Sequence, residues 1–127
     1  MKQYGVEALW AAFAYATAED IIVADERLTR SEVDVLRELD ESMRKAGLMR
    51  TNGTLVDHFD EVRAQAEDKL ATLLSSDDKL RLITLFHKVS RVDGDLDKRE
   101  GVHMKHAAEV LGLPQQEYLD HLASLYL

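Results

Sequence analysis

The chain has no cysteine in 127 residues. Disulfides, thiolate metal sites and cysteine nucleophiles are therefore excluded, and a reducing cytoplasm is the compartment expected. No run approaches the roughly 20 apolar residues of a membrane span. Nothing alternates with period two over a useful length, so strands are not expected. Basic residues are in deficit, 16 against 24 acidic, for a net charge of −8. Lys and Arg are scattered, which argues against nucleic acid or anionic lipid as the main partner. The G-x-S-x-G, P-loop, G-x-G-x-x-G and H-E-x-x-H motifs are all missing, and no nucleophile–base pair stands out. The chain is not expected to be an enzyme. At the N-terminus, Lys2 and the run from Ala8 to Ala18 have the outline of a signal peptide. Glu7 interrupts it and the positive region is weak, so no cleaved leader is expected.

What is present is a repeat. Asp93-Gly94-Asp95-Leu96-Asp97-Lys98-Arg99-Glu100 matches Asp25-Glu26-Arg27-Leu28-Thr29-Arg30-Ser31-Glu32 at an offset of 68 residues, 93 against 25. Asp, Leu and Glu coincide. Ala14, Ala18 and Ile21 before the first motif fall on Leu82, Phe86 and Val89 before the second. The units 11–43 and 79–111 read as a duplicated helix–acidic turn–helix.

The remaining punctuation predicts an all-α domain spanning residues 1–127, a single compact bundle of about six helices. Hydrophobic content of 46% is enough for one core. Helix 1 should run from about Tyr4 to Ile22, with an Ala-rich face for close packing. Helix 2 follows Thr29 and stops at Gly47. Thr54 is expected to cap helix 3, whose stripe is Leu55, Phe59, Val62, Ala66, Leu70 and Leu73. Ser75-Ser76-Asp77-Asp78 ends that helix and caps helix 4, which is apolar nearly all round and is expected to be the central helix. Helix 5 should span Lys98 to Leu111 and end at Gly112. Pro114 opens helix 6, about Gln115 to Leu125.

Two readings of the acidic turns compete. Thr29-Arg30-Ser31-Glu32 and Asp97-Lys98-Arg99-Glu100 are capping boxes in form, with Leu28 and Leu96 at the staple position. Capping leaves Asp25, Asp93 and Asp95 without a task. The second reading is a hard-cation site, with oxygen ligands from Asp93, Asp95, Asp97 and Glu100. An EF-hand does not fit. With Gly94 at loop position 6 and Glu100 at position 12, positions 1 and 3 fall on Val89 and Arg91, which cannot be side-chain ligands.

The histidines carry less. Glu100, His103 and His106 follow helical spacing, and Glu-x-x-His is a di-iron bundle motif, but such sites need two copies. Val35 stands at the position equivalent to His103. His87 lies on the apolar helix 4 and reads as a core histidine.

The second motif with its flanks runs from Val89 through Asp93-Gly94-Asp95-Leu96-Asp97-Lys98-Arg99-Glu100 to Leu111-Gly112-Leu113-Pro114. It resembles the TerB-like (tellurite resistance TerB) family, whose pattern is an apolar helix, Asp-Gly, an acidic cap and Glu, then LGL before a last helix. The resemblance implies a helical domain with a pseudo-duplicated core, a link to tellurite resistance and stress response, and metal binding through acidic residues. Carried over by position, the metal set is Asp93, Asp95, Asp97 and Glu100, with Asp25 and Glu32 from the first repeat. The first repeat departs from the pattern, with Glu26 for the Gly, Arg27 for an acid and Thr29 for Asp.

The expectation is a cytoplasmic TerB-like stress protein that binds a divalent cation (calcium, magnesium or zinc) weakly through its acidic turns. The alternative is a non-catalytic protein–protein interaction module whose turns only cap helices. The apolar run Leu122-Ala123-Ser124-Leu125-Tyr126-Leu127 favours a protein partner, since it must pack on the core or on something else. A homo-oligomer is compatible with either.

Overall fold

The computed structural model describes the backbone of residues 4–25, 30–90 and 98–125, and the side chains of 4–21, 33–88 and 103–125. Six helices occur among them: α1 (Val6–Asp25), α2 (Arg30–Lys45), α3 (Phe59–Leu73), α4 (Ser76–Ser90), α5 (Lys98–Val110) and α6 (Gln115–Leu125). No strand occurs among the described residues; one isolated bridge pairs Met49 with Leu55.

The helix ends follow local chemistry. Ser75 caps α4, its Oγ accepting from the Asp78 amide at 3.2 Å, and so satisfies one of the orphan donors of the first turn. α2 and α5 end alike. The Gly47 amide donates to Arg44 O at 3.0 Å and the Leu48 amide to Met43 O at 2.9 Å. The Gly112 amide donates to Glu109 O and the Leu113 amide to Ala108 O, both at 3.0 Å. Both glycines have positive φ, 75° and 71°. This is the Schellman closure, with buried Leu48 and Leu113 as the apolar residue that follows.

The two units of the expected duplication share several features among the described residues. α2 and α5 start 68 residues apart, at 30 and 98. Their terminal glycines are 65 apart, at 47 and 112, so α5 is shorter than α2 by close to one turn. Leu39 and Met43 occupy the core as Ala107 and Leu111 do, and Ala14 and Ala18 as Leu82 and Phe86 do. The two units meet in the core, where Phe86 packs edge-on against Phe13, centroids 6.1 Å apart.

Two expectations fail here. The helix expected from Thr54 starts at Phe59. Residues 48–56 instead form a bracket, with Arg50 N donating to Thr54 O at 2.8 Å and Val56 N to Leu48 O at 3.0 Å. Asn52 Oδ1 accepts from the Thr54 amide at 3.0 Å and from its hydroxyl at 2.7 Å. The Arg50 guanidinium clamps the bracket onto Leu55 O at 2.6 Å and Asp57 at 2.8 Å. The second failure is the identity of the central helix. α1 packs against α2, α3, α4 and α5, and eight of its residues between Leu9 and Ile21 are buried. α4 also touches four helices, α1, α2, α5 and α6, but it buries fewer side chains. Alanines all round α1 let neighbours close in on every side, which a search for bulky apolar residues overlooks.

α6 packs on α4. Tyr118 is buried and Leu122 packs partly against the core, whereas Ala123 and Ser124 are exposed. Thr84 Oγ1 donates to Leu80 O at 3.1 Å and lies 2.7 Å from His121 Nε2.

Candidate functional site

The acidic turns lie between helices whose ends are described. Asp25 is the last residue of α1, Ser90 the last of α4, and Arg30 and Lys98 the first of α2 and α5. Glu32 and Glu100 are each the third residue of their helix. That is the N3 position a capping box requires. Their side chains, that of Asp25, and the whole of Asp93, Asp95 and Asp97 lie outside the described residues. The caps Thr29 and Asp97 lie outside them as well.

The direction of the helices can still be read. Asp78, in the first turn of α4, lines one cavity with Val6 and Trp10 of early α1 and with Ser42 and Lys45 of late α2. Packed against each other, α1 and α4 thus start from the same end of the bundle, and α2 returns to it. α5 also returns to it. A Cβ built on Gly112, just past its end, would lie 3.4 Å from Ala71 Cβ, close to the cavity residue Leu74. Asp25, Arg30, Ser90 and Lys98 accordingly face the opposite end. The described helix ends flanking both acidic turns share that end.

The histidines do not assemble a centre. His103 is half-buried, His106 exposed and His87 buried. Among the described residues no three His, Asp or Glu side chains are grouped as a metal would require. Away from the turns, Arg63 pairs with Asp20 at 3.3 Å and with Glu67 at 3.6 Å, tying α3 to α1. These side chains are about half exposed, so the pairs contribute little individually.

The cavity itself was not foreseen from the sequence. It encloses about 470 Å³ and is bounded by α1, α2, the end of α3 and the start of α4. Val6 and Trp10, one turn apart at the edge of α1, were the available signal. They read as ordinary bulk because the other walls come from segments distant in sequence.

The described residues contain no helix long and apolar enough to cross a membrane. No curated protein and no solved structure matches the chain. The family described as Tellurite resistance protein TerB matches residues 11–121. That span holds both acidic turns, both Schellman ends and most of the core. The chain belongs to the TerB family.

Proposed function

We propose that this protein is a non-catalytic, cytoplasmic member of the tellurite-resistance and stress systems that binds a divalent cation weakly through its two acidic turns. The observation that carries the proposal is the family match across 11–121, which spans Asp25, Glu32, Asp93, Asp95, Asp97 and Glu100. The common end of the bundle toward which α1, α2, α4 and α5 direct the ends next to these turns supports it.

The donor set fits a hard cation. Six carboxylates offer only oxygen, as calcium and magnesium prefer; zinc would more readily take nitrogen or sulfur. Capping boxes would occupy Glu32, Asp97 and Glu100 in part, and would leave Asp25, Asp93 and Asp95 as surplus charge. Grouped carboxylates repel one another, and a bound cation relieves that cost. Stability then rises by about 2.7 kcal/mol at a hundredfold excess of ion over Kd.

Thermal melting tests this. The protein is melted with EDTA and with millimolar calcium, magnesium or zinc, alongside the Asp93→Asn/Asp95→Asn variant. An upward shift with at least one ion, absent in the variant, is expected. Identical melts of the wild-type protein in all four conditions would remove the cation reading and leave the interaction module.

A further inference from the structure

The cavity at the other end of the bundle has the character of a recognition surface. Its walls are Val6, Trp10, Ala46 and Leu74, and its rim carries Glu7, Asp78 and Lys45. The volume, about 470 Å³, lies within the range of binding clefts. The large apolar residues left exposed among those described are Val6, Leu73 and Leu119, at 44%, 52% and 47%. Val6 lines the cavity, and Leu73 directly precedes Leu74. Trp10 is half-buried, offering indole surface to an occupant while anchored in the core cluster. Val6 and the open face of Trp10 give the cleft an apolar wall that an anchoring side chain could cover.

Charge narrows the occupant. Lys45 is turned to Glu41, 3.4 Å away on α2. Asp78 is only loosely matched by Arg81, at 3.9 Å, with Arg81 exposed and Asp78 about half exposed. Glu7 has no ion pair among the described residues. The rim therefore presents carboxylate to an incoming group, on a chain of net charge −8. A second copy would bring the same negative field and be repelled, whereas a cationic partner would be steered in. We infer that this cavity docks a basic segment of another protein, seating one apolar anchor against Trp10 and turning flanking Lys or Arg toward Glu7 and Asp78. An ammonium or guanidinium close to the indole gains a further cation–π contribution. The surface lies at the end of the bundle opposite Asp25, Arg30, Ser90 and Lys98, so it does not depend on whether the acidic residues bind a cation.

Trp10 is the single tryptophan of the chain, so its emission reports on the cavity directly. The probe is a short synthetic peptide of leucine and lysine, compared with its leucine–glutamate counterpart. The leucine–lysine peptide should change Trp10 emission saturably, and the glutamate peptide should not. Glu7→Lys/Asp78→Lys should weaken binding at least about tenfold, as like charges placed at a docking rim do. Glu117→Lys/Asp120→Lys makes the same change in net charge on α6, away from the cavity, and should leave affinity within about twofold, as additive effects at distant sites predict. Far-UV ellipticity checks both variants for folding. If the first does not fold, Glu7→Gln/Asp78→Asn replaces it with a smaller loss in the same direction. Equal weakening by the rim and α6 variants would mean diffuse attraction and overturn the inference. So would unchanged Trp10 emission, equal binding of the glutamate peptide, or displacement of the peptide by tetramethylammonium at comparable concentration. Emission that depends on protein concentration without peptide would assign the cavity to a second copy and also overturn it.

Discussion

Tyr15 shows what neighbours do to a single side chain. It lies half-buried on α1 and packs edge-on against Phe59, ring centroids 6.3 Å apart. Burial, and then the negative charges of Glu19 and Asp40 with a hydrogen bond to Glu19, push its phenol from 10.0 up to about 12. Each cause disfavours the phenolate. The folded protein thus keeps a proton that the unfolded chain releases between about pH 10 and 12. The stabilisation is fully present below about 10 and is lost as pH rises through about 12. Tyr15→Phe removes this titration, so its urea midpoint should fall less steeply over that window than that of the wild-type protein. Parallel curves would show that the phenol is not coupled to folding. From sequence Tyr15 is merely a large residue, because Asp40 and Phe59 reach it from other helices.

Helices were legible where their ends rest on local chemistry. Ser75 with Asp78, Gly47 with Leu48, and Gly112 with Leu113 each close a helix through neighbours in sequence, so spacing alone locates them. α3 was misplaced because Leu55 satisfies the helical stripe by position. Its carbonyl is instead held by Arg50, in a bracket no periodicity reveals. Both terminal glycines should resist replacement. Gly47→Ala and Gly112→Ala each place a Cβ in the left-handed region, which costs roughly 1–2 kcal/mol. A Cβ at Gly47 meets nothing within 4 Å, whereas one at Gly112 meets Ala71 Cβ at 3.4 Å. Chemical denaturation should therefore find Gly112→Ala no less costly than Gly47→Ala. A wild-type midpoint for either would contradict the closure described for that helix.

Across the whole molecule, the two repeats share one core. α1 belongs to the first repeat yet packs against α4 and α5 of the second. Phe86 is fully buried and meets Phe13, so damage there should reach both halves. Phe86→Ala should cost about 3–5 kcal/mol, the usual penalty for removing a buried aromatic ring. Trp10 emission follows the first repeat, and far-UV ellipticity follows every helix. The two should move together in one transition, in the variant as in the wild-type protein. Separate transitions would mean that the repeats fold as independent units.

Helical class, the repeat and most helix ends came from the sequence by itself. Period, caps and terminal glycines act over a few residues, and the matching acidic turns make the duplication readable at an offset of 68, Asp25 to Asp93. The same residues carried the resemblance to the TerB family, which the match over 11–121 bears out. Only the tertiary structure decided that α1 rather than α4 is the central helix, that the helix ends beside both turns share one end, and that Val6, Trp10, Ala46 and Leu74 meet around a cavity. Those outcomes depend on which distant surfaces close on one another, and an alanine-rich helix approachable from every side leaves that choice to the packing of its neighbours.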